Sequence, residues 1–213
     1  MPKSTFFNLP EEKRNRITEV AIDEFINHTY RNANITRIVN NSGIAKGSFY
    51  QYFDDKKDLY KYVIDISFKL KMDYLKVRLT DLEQSDFFQV VRELYAAGLV
   101  FAKNNPKLAA IGNNLMRDND TNFKDQILED SIQKTNGFFE SLLIKGIQRG
   151  SIIPNIDVKL TAFLIMSLSI SLSEYYMKEC KKDSDIMVLV DKMLYVIENG
   201  LRGKKEDNRD VES

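Results

Sequence analysis

A chain of 213 residues, 43% of them hydrophobic, is long enough to bury one large core or two small ones and too apolar to stay disordered except near its ends. Nine Gly, four Pro and no Trp point to an all-α fold of about nine helices, because straight-chain residues suit helices and few turn formers are present. The single cysteine, Cys180, excludes an internal disulfide and, with no signal segment at the start, suggests a cytoplasmic setting; 31 basic and 31 acidic side chains exclude a whole-molecule attraction to nucleic acid.

In chain order, Asn8 is placed to cap a first helix, with Glu11 three residues on and Pro10 in its first turn, and Ile17, Val20, Ala21 and Phe25 give that helix one apolar stripe. Residues 35–41 read as a short helix capped by Asn34, with Ile35, Ile38 and Val39 inward. Ser42-Gly43-Ile44 is a tight corner, since Gly accepts the left-handed backbone such a corner needs. Residues 45–52 form a second short helix, ended by Phe53 and by Asp54-Asp55, which can cap the next helix.

From residue 56 to about 82 the apolar positions Leu59, Tyr62, Val63, Ile66, Leu70 and Tyr74 keep helical spacing over a length that suits a connector into a second domain. Further helices are expected at 86–104, stopped by Asn105-Pro106, at 107–116, and at 122–149, closed by Gly150. Two last helices, 157–181 and 184–201, carry broad apolar faces, and a charged tail runs from Lys204. The apolar run 162–172, broken by three serines, falls short of the roughly 20 residues of a bilayer span and reads as a buried helix, so no membrane partner is expected.

Two short helices around a glycine corner make a helix-turn-helix candidate, whose second helix would expose Lys46, Gly47, Ser48, Gln51 and Tyr52. Between residues 31 and 61 there are six basic side chains against three acidic ones, a local excess suited to phosphate. Gly43, Lys46, Gly47, Tyr50, Phe53, Lys56 and Leu59 stand in a pattern that resembles the helix-turn-helix signature of the TetR family, and Arg16, Ile17, Ala21, Phe25 and Tyr30 resemble its first helix. The resemblance covers about residues 9–63. Ala45 departs from the family's usual Ser or Thr cap, as Val39 and Asn41 depart from its common alanines.

The resemblance implies a DNA-binding domain over 1–55, a helical effector-binding and dimerisation domain over 56–203, and a tail over 204–213. Lys46, Tyr50 and Lys56 would then reach phosphates, Gly47 would admit close backbone approach, Arg37, Ser48 and Gln51 would read bases, Tyr52 would stack or touch a phosphate, and Asn34 and Thr36 would brace the DNA backbone. The dimer face would draw on Phe163, Met166, Ile170, Met177, Met187, Val190, Leu194, Ile197 and Leu201. A pocket for a small apolar or aromatic effector would draw on Met72, Phe101, Leu115, Met116, Phe138, Phe139, Leu142 and Tyr175. On this reading the protein is a ligand-responsive repressor that binds a pseudo-palindromic operator as a homodimer. An activator or architectural DNA-binding protein with no effector is the alternative.

An enzyme is disfavoured: with one His, one Cys, no HExxH, no phosphate-cradling Gly-rich loop and no GxSxG elbow, no catalytic constellation can be assembled, and no cofactor or metal is expected. A helical interaction protein that has lost DNA binding is disfavoured by the joint presence of Lys46, Gly47, Tyr50 and Lys56.

Overall fold

A computed structural model describes residues 1–79, 85–179 and 186–199, with the side chains of residues 79 and 177–179 left aside. The described residues form ten helices and no strand: α1 (Ser4–Phe7), α2 (Glu11–Asn27), α3 (Ile35–Ser42), α4 (Lys46–Tyr52), α5 (Lys56–Leu79), α6 (Phe87–Asn104), α7 (Pro106–Met116), α8 (Thr121–Gln148), α9 (Val158–Glu179) and α10 (Ile186–Asn199). Cys180, Leu201, the Met177 side chain, the far end of the connector helix and the tail from Lys204 lie outside the described residues.

The helix beyond the expected nine is α1. Asn8 closes α1 rather than opening α2, and Pro10 takes the first-cap position of α2, where its missing N–H costs nothing. Glu11 and Glu12 then sit in the first turn of α2, against the positive end of its dipole. The later starts are set by side-chain caps: Asp86 accepts from the Gln89 amide at 2.9 Å and Asp120 from the Phe123 amide at 3.0 Å.

Buried apolar side chains gather in two clusters. The first joins Phe6, Ile17, Ala21, Phe25, Ile38, Val39, Phe49 and Phe53 to Leu59, Tyr60, Val63 and Ile64 of α5, and is extended by Ile111 and Leu115 of α7 and Ile127 of α8. The second joins Phe87 and Val91 of α6, Phe139 and Leu143 of α8, Ala162, Ile165 and Met166 of α9, and Val190 and Leu194 of α10. The connector α5 leaves the expected stripe at Leu70, which is 48% exposed, and its buried positions are instead Ile64 and Leu75 beyond Val63.

α9 is long and apolar enough over Val158–Tyr176 to cross a bilayer by length and composition. It is nonetheless one layer of the second cluster, packed along α8 and against α10, with two of its four serine hydroxyls turned back onto the helix: Ser169 donates to the Ile165 carbonyl at 2.7 Å and Ser173 to the Ser169 carbonyl at 3.0 Å. The expectation that this helix is simply buried is corrected, because Leu160, Phe163, Leu164 and Leu168 are each 44% or more exposed on its other side.

Candidate nucleic-acid interface

The corner between α3 and α4 is built from the residues the sequence singles out. Asn34 caps α3, its Oδ1 accepting from the Thr36 amide at 2.7 Å. At the far end Gly43 takes φ 67 and ψ 33, the left-handed conformation, and turns the chain into α4. Ser42 is fully buried and donates to the Ile38 carbonyl at 2.7 Å, which satisfies its hydroxyl inside the corner. α4 starts at Lys46 with no side-chain cap, since Ala45 offers none; the Ser48 amide donates to the Ala45 carbonyl at 3.0 Å, which leaves the Lys46 and Gly47 amides for an outside acceptor.

Facing outward on α4 are Lys46, Gly47, Tyr50 and Gln51, all exposed, with Ser48 half-buried and Tyr50 47% exposed. A Cβ added at Gly47 would meet nothing within 4 Å, so the backbone there is open to close approach. Phe49 and Phe53 face the core, both fully buried. Lys46 has no acidic partner among the described residues, whereas nearby carboxylates are engaged: Asp54 by Lys3 at 2.8 Å, Asp58 by the N-terminal ammonium, and Glu24 by Arg37 at 2.6 Å.

Three of the expected DNA contacts have other duties in the structure. Arg37 is turned back on Glu24 and also donates to the Asn32 carbonyl at 2.8 Å, so its guanidinium braces the α2–α3 joint. Burial opposes ionisation of Glu24, but Arg37 and the Asn34 amide, 2.8 Å from its carboxylate, overcome it and hold its pKa below the usual value. Lys56 gives two of its N–H groups to the Arg31 and Ala33 carbonyls at 3.1 and 2.8 Å and lies 4.7 Å from the Tyr30 ring centre; burial lowers its pKa. Tyr52 is 6% exposed and packs on Phe6, 6.1 Å between ring centres, because α1 covers that end of α4.

That cover is the part sequence reasoning missed. Phe6 is fully buried, with ring centres 4.8 Å from Phe53 and 5.2 Å from Tyr62. The Lys3 amide donates to the Tyr52 carbonyl at 2.8 Å, Lys3 Nζ to the Tyr50 carbonyl at 2.9 Å, and the Thr5 hydroxyl to the Gln51 carbonyl. The last carbonyls of α4 are thereby satisfied. The signal was the Phe6-Phe7 pair ahead of the Pro10 stop.

The expected dimer and pocket residues are also redistributed. Met166, Val190 and Leu194 are buried inside the second cluster, with Ile170 and Met187 packed against it, so they close the subunit's own core. Phe163, 52% exposed, stays outside beside Leu160, Leu164 and Leu168, with Val188, Tyr195 and Val196 exposed on α10; Ile197 is half-buried. Leu115 belongs to the first cluster, and Tyr175, 54% exposed, stands with the other exposed apolar side chains of α9. Phe139 and Leu142 pack into the second cluster, with Phe138 against Phe139 at 5.8 Å between ring centres; Met72 and Met116 are half-buried; Phe101 meets Tyr74 at 5.6 Å.

A helix-turn-helix carried on a larger helical body is the architecture of a DNA-binding regulator. Residues 17–63 match the family model described as bacterial regulatory proteins, tetR family. A solved structure of a TetR family transcriptional regulator from Chloroflexus aurantiacus is 30% identical, with a TM-score of 0.59, and the match spans 94% of this chain and 98% of that one. The chain belongs to the TetR family of transcriptional regulators. A curated relative, the fatty acid metabolism regulator protein of Bacillus subtilis (strain 168), is 23% identical over 196 residues, 89% of this chain and 95% of its own. The structure of the regulator FadR from Bacillus subtilis in complex with stearoyl-CoA shares the fold with a TM-score of 0.67 at 17% identity, over 88% of this chain and 99% of that one.

Proposed function

We propose that this protein is a ligand-responsive repressor that binds a pseudo-palindromic operator as a homodimer and releases it when an effector with a long apolar body occupies its C-terminal helices. The observation that carries the DNA-binding reading is the outward face of α4, where an unpaired Lys46, an open Gly47 backbone, Tyr50 and Gln51 stand together on a helix clamped at both ends. Lys46, Tyr50 and the first amides of α4 take phosphates; Gln51 and Ser48 read base edges, and Thr36, exposed at the start of α3, braces the neighbouring strand. Asn34 and Lys56 hold the joint behind them.

The two-fold partner seats on the outer faces of α9 and α10, where Leu160, Phe163, Leu164, Leu168, Tyr195 and Val196 are exposed apolar side chains among the described residues. The fatty-acid theme of the Bacillus relatives supports an effector with an acyl chain. Residues 1–55 with the first turns of α5 act as the reading head, and the rest of the chain as effector-binding and dimerisation body. Effector binding shifts the population toward a spacing of the two α4 helices that no longer matches successive major grooves.

Selection of random duplexes by the purified protein tests this. An enriched palindrome, released on adding an acyl-CoA thioester, is the expected outcome; no enrichment by a folded dimer would overturn it.

A further inference from the structure

Arg16 is a cation on the surface of α2 that the structure leaves without an acid. It is exposed, and among the described residues no ion pair or hydrogen bond holds its guanidinium. Acids stand within reach along the helix. Glu12 lies one turn earlier on α2, the spacing at which helical ion pairs form, and Glu19, three residues later, lies instead 3.7 Å from Lys107. The guanidinium is turned across to the α3–α4 corner: a Cβ added at Gly43 would come 3.7 Å from its Nη2 and 3.9 Å from its Cζ. Gly43 is itself exposed and stands three residues before Lys46, so cations from two different helices border the same corner.

From Phe25 to Phe53, the stretch that contains both α3 and α4, the chain carries no acidic residue. The two Arg side chains of that stretch are already neutralised, Arg31 by Asp120 at 3.3 Å and Arg37 by Glu24 at 2.6 Å. Arg16 and Lys46 are left with their charge open to an outside anion. A guanidinium offers several donors in one planar fork, which matches the oxygens of a phosphodiester. The missing Cβ at Gly43 lets that fork lie close to the backbone, and a longer side chain there would compete for its space.

We propose that Arg16 is a DNA contact supplied by α2: it binds a backbone phosphate beside the α3–α4 corner, adding a second anchor in each subunit to the one supplied by Lys46. This rests on the DNA-binding reading above and extends the interface from α3 and α4 to the helix they pack on. The contact is to phosphate, so it sets affinity and register on the duplex and carries no base preference.

Fluorescence anisotropy of the full-length protein with two labelled duplexes of roughly 30 base pairs, three helical turns, one rich in A·T and one rich in G·C, tests this with Arg16→Gln, Arg16→Lys and Lys46→Ala. Arg16→Gln is expected to weaken both duplexes by the same factor, about tenfold, and to flatten the slope of log K against log salt by about one for each subunit bound. Arg16→Lys keeps the charge and should restore most of the loss. The melting temperature of Arg16→Gln should match wild type, because the side chain is exposed and unpaired. A clear drop in it would mark Arg16 as a brace of the corner and count against the contact. Loss confined to one duplex would make the contact one to base edges and overturn the phosphate assignment. Arg16→Gln binding both duplexes as wild type does, while Lys46→Ala is weakened, would overturn the Arg16 contact and leave the DNA-binding reading standing. If wild type binds neither duplex, that reading falls and the Arg16 contact with it.

Discussion

Arg37 closes on Glu24 through Nε at 2.9 and 3.1 Å and through Nη2 at 2.6 Å, joining α3 to α2 across 13 residues of sequence. Glu24 is 7% exposed, so the pair sits at the rim of the first cluster, and the carboxylate also accepts from the Asn34 amide and lies 3.9 Å from His28 Nε2. Glu24→Ala removes all of these bonds and is expected to cost about 2 kcal/mol of stability, the scale of hydrogen bonds to a charged group. Because the folded state lowers the Glu24 pKa, its ionic contribution is fully present above the ordinary value of 4.5 and is lost as pH falls through the folded value. Urea denaturation of Glu24→Gln against wild type should therefore show a difference at pH 7 that shrinks in acid; a constant difference would contradict the pairing.

Phe6→Ala tests the α1 clamp. The side chain is fully buried among Phe53, Tyr62 and Tyr52, and its truncation is expected to cost about 3 kcal/mol. Amide exchange should speed up in α1, where the bonds from Lys3 and Thr5 to the α4 carbonyls depend on it. Unchanged stability would mean that α1 does not hold α4.

Gly43→Ala separates backbone strain from crowding. An added Cβ would lie 3.7 Å from the Arg16 guanidinium, an ordinary contact, so the cost comes from φ 67 alone, about 1 kcal/mol. Gly43→Asn should cost less than Gly43→Ala, and Gly43→Val more, in thermal melts; equal costs for all three would point to contact and not conformation.

How much of this could be read from sequence depended on whether local or long-range contacts decide. The α3–α4 corner follows from Asn34, Gly43 and the apolar spacing around them, and those local signals place it within a residue. The roles of Arg37, Lys56 and Tyr52 were not legible, because their partners, Glu24, the Arg31 and Ala33 carbonyls and Phe6, come from other elements. The outer and inner faces of α9 could not be told apart either: it is apolar nearly all round, and only packing against α8 and α10 decides that Met166 is inside and Phe163 outside.

Leu164→Arg on α9 addresses the dimer face. Leu164 is 50% exposed, so the substitution should leave the melting temperature of the isolated subunit nearly unchanged while placing a charge in the proposed two-fold contact. Sedimentation should show monomer where wild type is dimer, with operator affinity falling at least tenfold. A dimeric Leu164→Arg protein would move the interface elsewhere.

The proposed contact between the exposed face of α4 and DNA phosphate is read from the salt dependence of operator binding by wild type and Lys46→Ala. Lys46 is unpaired and exposed, so its loss should leave folding intact. Removing one phosphate contact from each half of a dimer should weaken binding and flatten the slope of log K against log salt by about two. An unchanged affinity and slope would contradict the account.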